Sequence, residues 1–449
     1  MKSDREKQTL NQMQIHGVSR FFRLVVGTLL LHGHGVVVLA QIPPNMPDTR
    51  PAYDAMREGK YLQALSHLET HDPNHEMVKQ ELATIRSFVG DFEGALAAFG
   101  NHDSIEPDKI AELASQLQSA VPLPALDTIV EAAKDQQIVI LNEAHHVPRH
   151  RAFALELVMR MRELGFDYFA AETFAPLTDG LQQRGYPDLS TGFYSNEPVF
   201  GELIRTTLQL GYRPIAYEML SMPPTDADQV DQVIHRETEQ CNNLCDRIFK
   251  EDPQAKVFIF VGYSHATEDT RTLDDGREMA WMAARLKKAT GIDPLTIDQT
   301  MPADFIDTEQ RINPWQARLA KSNIEGPVVF RQDEGPFLVQ GMYAGKVDLQ
   351  VIHPPTKSEH GRPSWLLSLP DRRLVDIPEV VLRTKERVLV QAFVESEPDT
   401  AIPADQVILI PGLEPPKLAL RTGSYRIIVQ SENGTSTQHG QVKVGPSDH

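Results

Sequence analysis

The stretch IVILNEAHHVPRH, residues 138–150, decides the fold. Ile138–Asn142 has the length and composition of a short buried strand, and it runs straight into Glu143, His145 and His146. Pro148 then suits the first turn of a helix. Four more segments have the same form. Asp167–Ala171 precedes Glu172, Arg213–Tyr217 precedes Glu218, Val257–Val261 precedes His265, and Pro294–Ile297 precedes Asp298. Between them the apolar spacing is helical: Arg151–Leu164, Val199–Leu210, Gln229–Lys250 and Arg277–Thr290 read as helices. Strands alternating with helices imply a parallel sheet, and ligands bind where the carboxyl ends of such strands open. The expected fold is therefore α/β, a mainly parallel sheet with flanking helices, whose open edge gathers histidines and carboxylates.

Composition narrows the partners. The 449 residues carry a formal charge of −18, and residues 1–40 hold five basic and two acidic side chains, so the remainder stands at −21. A surface that acidic repels phosphate backbones, which excludes nucleic acid as a partner. A small-molecule substrate is the expected ligand, and oligomeric state is not legible.

Residues 1–40 read as a signal peptide: a basic stretch ending at Arg23, an apolar run Leu24–Ala40, and small residues at Val38-Leu39-Ala40. An uncleaved anchor, or a start at Met13 without export, is the alternative; the expected location is periplasmic or extracellular. Cys241 and Cys245, four apart on one expected helix, read as two packed thiols.

Residues 50–118 contain a self-similar pair, Gly59-Lys-Tyr61-x-x-Ala64-Leu65 and Gly90-Asp-Phe92-x-x-Ala95-Leu96. The pair resembles a tetratricopeptide unit and reads as a helical segment packed on the next domain, with a protein partner as one use for it. Val121-Pro-Leu-Pro124 reads as a linker into residues 120–370, the expected α/β domain. Residues 371–449 show only strands and turns: Val380–Leu382, Val388–Val394, Val407–Ile410 and Tyr425–Val429, with Asn433-Gly434 as a type I′ hairpin turn. A small C-terminal β-sandwich follows from that pattern. Asn433-Gly434-Thr435 also fits a glycosylation sequon, but the turn suffices.

The chemistry concentrates at strand ends. Glu143, His145, His146 and His150 stand within eight residues of one another. Burying four ionisable side chains there without purpose is costly. Neither His146 with His150 nor His235-Arg-Glu makes the H-E-x-x-H pattern of zinc peptidases, and no G-x-S-x-G elbow, P-loop or dinucleotide fingerprint occurs. Against a functional reading, Glu143 and Glu172 could serve as helix caps or pair with Arg149 or Arg151, and His265 could be a buried histidine bonded to backbone. Tyr212 and Tyr217 read as core.

Glu143-Ala144-His145-His146, the amphipathic helix, Gly165-Phe166 and Ala170-Ala171-Glu172 together resemble the erythromycin esterase family and its wider superfamily. Val261-Gly262-Tyr263-Ser264-His265 is similar to the late strand-plus-histidine motif of those proteins. ChaN-type haem-binding lipoproteins and TraB/Tiki-type peptidases share related patterns. The likeness spans residues 138–300 and departs from the family at Asn142, His145 and Val147, where glycine, a small residue and glycine are usual.

The resemblance implies an esterase-like hydrolase acting on an ester, lactone or amide. His146 would be the general base, Glu143 would orient it, Glu172 would position water or a second imidazole, and His265 would donate a proton or steady the oxyanion. His145, Glu218 and Asp298 are supporting residues, with Asp298 a candidate to hold a histidine tautomer. No cofactor is needed for that chemistry. The alternatives at the same edge are a Zn or Mn hydrolase liganded by His145, His146, Glu172 and His265, and a haem-binding protein with Tyr263 or a histidine as axial ligand. The loops Gly180–Pro198 and Ser221–Asp228 overhang this edge, with Tyr186, Phe193 and Tyr194 expected to shape the pocket.

Overall fold

A computed structural model describes residues 46–100, 107–176, 180–300, 314–333 and 335–446; the expected signal peptide lies outside them. At the centre is an eight-stranded sheet built from β1 (Ala120–Pro124), β2 (Ile138–Glu143), β3 (Tyr168–Ala171), β4 (Arg213–Ile215), β5 (Val257–Gly262), β6 (Leu295–Asp298), β7 (Val328–Gln332) and β8 (Leu349–Ile352). Their order across the sheet is β1-β7-β8-β6-β2-β5-β3-β4. All five expected strands are present and mutually parallel; β7 alone runs against its neighbours.

Both faces of the sheet are covered, which is why β2 and β5 read as unbroken apolar runs. Val139, Leu141, Phe169, Phe258 and Phe260 pack under the helices Pro148–Glu163 and Pro198–Gln209. Ile138, Ile140, Tyr168, Val257 and Ile259 face the helices Gln229–Leu244 and Met282–Thr290. Tyr212 and Tyr217 are core, as expected.

Three expected strand, helix or linker assignments are corrected. Val121–Pro124 is no linker: it lies in the edge strand β1, paired antiparallel with β7, a place where a strand tolerates proline. The helix expected from Arg277 starts at Met282. Residues Glu278–Ala280 instead form a hairpin with Thr270–Thr272, and the buried Glu237 carboxylate accepts the Met282 N–H at 2.7 Å, fixing the later start. Val380–Leu382 belongs to the short helix Glu379–Leu382 rather than to a strand.

Helices Arg50–Arg57, Tyr61–Leu68, Glu76–Phe88 and Phe92–Phe99 cover the self-similar stretch, with Tyr61 and Phe92 each opening a helix. Their apolar faces meet Leu389 and Ile408 of a C-terminal four-stranded antiparallel sheet, and Phe193 and Tyr194 of the central domain. That sheet orders Asp405–Leu409, Val388–Val394, Gly423–Ser431 and Ser436–Val444. Gln430 clamps the helices to it, accepting from Leu62 N and donating to the Gly59 carbonyl, both at 2.9 Å. Gly90 has φ +77°, and a Cβ there would lie 2.4 Å from the Gln406 carbonyl oxygen, so only glycine fits that approach. A two-stranded sheet, Arg373–Val375 with Leu418–Leu420, shares the core of the other face. The hairpin at Asn433-Gly434 exists, but only Gly434 has a positive φ (+81°). The loop is therefore the three-residue form ending in a left-handed glycine, not type I′.

No helix among the described residues is long and apolar enough to cross a membrane.

Candidate active site

Register brings the site together. Glu143 at the end of β2 pairs with Gly262 at the end of β5, and the Glu172 N–H bonds the Phe260 carbonyl one level below. A cavity of about 630 Å³ opens over these ends. His145, His146, Glu172, Glu218, Arg236, Tyr263 and His265 line its polar side. Much of the remaining wall is apolar, including Met56, Leu68, Ile85, Phe99, Phe174, Phe193 and Trp281.

The expected partnership of Glu143 with His146 is not what forms. Glu143 Oε1 lies 2.9 Å from His145 Nδ1. The carboxylate is itself gripped by Arg151, whose Nε reaches Oε2 at 2.7 Å and whose Nη2 reaches Oε1 at 3.1 Å. Arg151 is fully buried and also meets Glu197, which caps the helix Pro198–Gln209 through the Val199 and Phe200 N–H groups. Burial opposes ionisation of Glu143, but Arg151 and His145 more than offset it and hold the carboxyl below its ordinary range. The pairing with Arg151 weighed in the sequence thus exists, and it serves to place a carboxylate on a histidine.

His145 is stacked on Tyr194, ring centroids 3.8 Å apart, and meets Tyr263 edge-on. With Nδ1 committed to Glu143, its Nε2 is left for a ligand. Gly262 makes room for the ring: a Cβ there would lie 2.6 Å from His145 Cε1, 2.7 Å from Nε2 and 2.9 Å from Glu172 Oε2. Tyr263 follows with φ +40°, a conformation that costs a bulky residue on the order of 1–3 kcal/mol. Its hydroxyl comes within 3.4 Å of His146 Nδ1, while the His146 ring lies flat on Phe99 at 3.8 Å. His146 therefore lines the cavity without a carboxylate partner from Glu143.

A second polar network centres on Arg236, from the helix Gln229–Leu244. Its Nε donates to Glu218, Nη2 to Glu172 at 2.7 Å and to Glu218, and Nη1 to His265 Nε2 at 2.9 Å. Of the five N–H groups of arginine, one on Nη1 is not used in these contacts. Burial raises the Glu172 pKa, but His265, Arg236 and His145 reverse the effect and hold it well below the ordinary carboxylate range. Arg236 is likewise held cationic by Glu218 and Glu172 against burial. His265 Nδ1 meets Glu237 at 3.0 Å. Arginine only donates, so the Arg236 contact requires a neutral ring with its proton on Nδ1. Burial lowers the pKa of that ring, but Glu237 and Glu172 lift it above its ordinary value. Adding the second proton would break the Arg236 contact and turn Nε2 toward Glu172 Oε1, 3.9 Å away.

Other sequence candidates lie elsewhere. His150 is buried, accepts the Ala144 N–H at 3.0 Å and is kept neutral, with burial pushing its pKa well down, so it braces the loop. Asp298 holds no histidine: its partners are Asn142, Thr300 and Gln350. Asn142 links Asp298, the Tyr263 carbonyl and Gln299 N across three strand ends. Phe193 and Tyr194 do shape the pocket; Tyr186 instead packs under Arg184. Arg236 and Glu237 were missed. Val233, Arg236, Glu237, Gln240, Cys241 and Leu244 share the buried face of one helix, and charged residues on an apolar stripe were the available signal.

Two of the four candidate metal ligands already have their polar atoms engaged. Both nitrogens of His265 are committed to Glu237 and Arg236, and both oxygens of Glu172 to Arg236 and the Gly262 N–H. No group of three or more ligand side chains converges among the described residues.

No family model matches the chain, and no curated protein matches it. Among solved structures, two described as bacterial protein toxins share 14% and 15% identity, each over 50% of this chain and 45% of theirs, at a TM-score of 0.30. RRSP, a MARTX toxin effector domain from Vibrio vulnificus, shares 13% over 52% of this chain and 54% of its own, again at 0.30. The chain thus spans about half the length of these structures, and likenesses of this size carry no argument.

Proposed function

We propose that the cavity hydrolyses an ester, lactone or amide with water activated by His145. The observation that carries this reading is the Glu143–His145 contact at 2.9 Å on the wall of a largely apolar cavity. A carboxylate on Nδ1 fixes the tautomer and leaves the Nε2 lone pair for a proton from water. Hydroxide adds to the substrate carbonyl carbon, and the resulting oxyanion is stabilised by the Arg236 charge and its spare Nη1 N–H. Collapse breaks the bond to the leaving oxygen or nitrogen, which takes the proton back from the His145 imidazolium. His146 and the Tyr263 hydroxyl stand beside that path. Glu172 and His265 act through Arg236, holding the guanidinium in place.

The resemblance to the erythromycin esterase family supports the same reaction class, and the signal-peptide pattern of residues 1–40 supports export. On this reading the helices of residues 50–118 are a tetratricopeptide-like pair that walls the cavity, and residues 371–449 are a small β-sandwich. The deciding experiment screens esters, lactones and amides with the wild-type chain and His145→Gln, alongside elemental analysis and an absorption spectrum. Turnover lost in H145Q and insensitive to chelators supports the reading. Stoichiometric zinc or manganese, or a Soret band, would replace it with the metal or haem alternative.

A further inference from the structure

The helix Glu76–Phe88 brings a carboxyl group to the cavity wall away from the strand ends. Glu81 lines the cavity and is 4% exposed. Its Oε1 accepts the Tyr53 hydroxyl at 3.0 Å and the Thr49 hydroxyl at 3.2 Å. Its Oε2 is buried with no hydrogen-bond partner, and no ion pair to Glu81 occurs among the described residues. Around it the wall is apolar, from Ala52, Met56, Leu68 and Ile85. An aromatic row joins this end to the strand ends: Tyr53 meets Phe193 at 5.3 Å, Phe193 meets Tyr194 at 5.4 Å, and Tyr194 stacks on His145.

We propose that Glu81 is the specificity-determining anchor of this cavity, receiving on Oε2 the ammonium group of a substrate whose body is otherwise apolar. The inference rests on the cavity being the substrate site and names the class of molecule it takes. A buried carboxylate oxygen without a donor is costly, and a charged donor satisfies it better than a neutral one. Burial pushes the Glu81 carboxyl up to about 7 against its hydrogen bonds from Tyr53 and Thr49, so an arriving cation also completes its ionisation. Tyr53 and, beyond it, Tyr194 are the titratable groups on this side, both with pKa values raised by burial.

The test reads binding rather than turnover, so it is separable from the hydrolase reading. Full-length protein is titrated calorimetrically at pH 8 with 4-(2-naphthyl)butylammonium and with the neutral 4-(2-naphthyl)butanol. The ammonium probe is expected to bind about tenfold more tightly to the wild type, the worth of one charge-assisted hydrogen bond. Glu81→Gln should bind both equally, and His145→Gln should keep the preference. Equal affinities in the wild type, or a preference that survives E81Q, overturn the anchor. If neither probe binds, the reading of the cavity as a substrate site fails with it. Should E81Q not fold, the wild type alone decides: the preference must grow between pH 6 and pH 8, and a constant preference overturns the proposal.

Discussion

Glu143 reaches Nδ1 of His145 rather than the His146 ring, and Arg151 fixes the carboxylate from behind with two hydrogen bonds. The resemblance to the erythromycin esterase family implies the histidine three residues on. The turn after β2 decides otherwise: the Val147 N–H bonds the Ala144 carbonyl at 2.9 Å, and of the two histidines at the turn's centre it is His145 that meets Glu143. His145→Gln should therefore lower kcat by roughly 10²–10⁴-fold, the usual worth of a positioned general base, with little change in unfolding midpoint. His146→Gln should cost less, because its ring leans on Phe99 and has no partnership with Glu143. A larger loss in H146Q than in H145Q would return the base to His146.

Gly262 is required by space, since its backbone is ordinary, with φ −84° and ψ 138°. In Gly262→Ala the new methyl would meet the His145 ring and Glu172, displacing the base by about an ångström. Misplacement of that size costs about 10²-fold in rate while leaving the fold intact. Near-wild-type turnover in G262A, by steady-state kinetics, would show that the position of His145 is not critical.

Arg151 is fully buried between Glu143 and Glu197. Arg151→Met leaves two buried carboxylates without their cation, and should cost about 3–5 kcal/mol in chemical unfolding. Both partners lie on the active-site side of β2 and of the helix Pro198–Gln209, so activity should fall even under conditions where R151M is folded. A loss below about 1 kcal/mol, as for an exposed pair, would contradict the burial argument.

How much of this was legible follows from what each pattern encodes. The five parallel strands and the ionisable residues ending them were readable because strands buried on both faces give apolar runs that stop abruptly at the site. The short helix at Glu379–Leu382 was not, since four residues fit either period. Helix starts were misread where a tertiary contact sets them: the Met282 N–H is capped by Glu237 from another helix, a partner 45 residues away. The same limit hid Arg236, whose role appears only when Glu172, Glu218 and His265 from three strand ends close around it. Spacing places residues at an edge; it does not say which of two adjacent histidines turns toward a given carboxylate.

Tyr194 closes one face of His145 and continues the aromatic row toward Tyr53. Tyr194→Ala should raise KM severalfold and lower kcat as the imidazole loses its stacking partner, a contact worth about 1 kcal/mol. Affinity and rate both unchanged would remove Tyr194 from the pocket's working wall.

Glu81 gives a stability profile of unusual sign. Burial raises its pKa from 4.5 in the unfolded chain to about 7 in the folded protein. Between those values the native state keeps a proton that the unfolded state gives up, so stability falls as pH rises from about 4.5 to about 7 and then levels off. A carboxylate held by a salt bridge would do the opposite. Glu81→Gln removes this contribution: the variant should match or trail the wild type at pH 4.5 and exceed it at pH 8, compared by urea midpoints at the two values. An advantage for E81Q that does not grow with pH would mean that the carboxyl titrates normally and is well solvated in the folded chain.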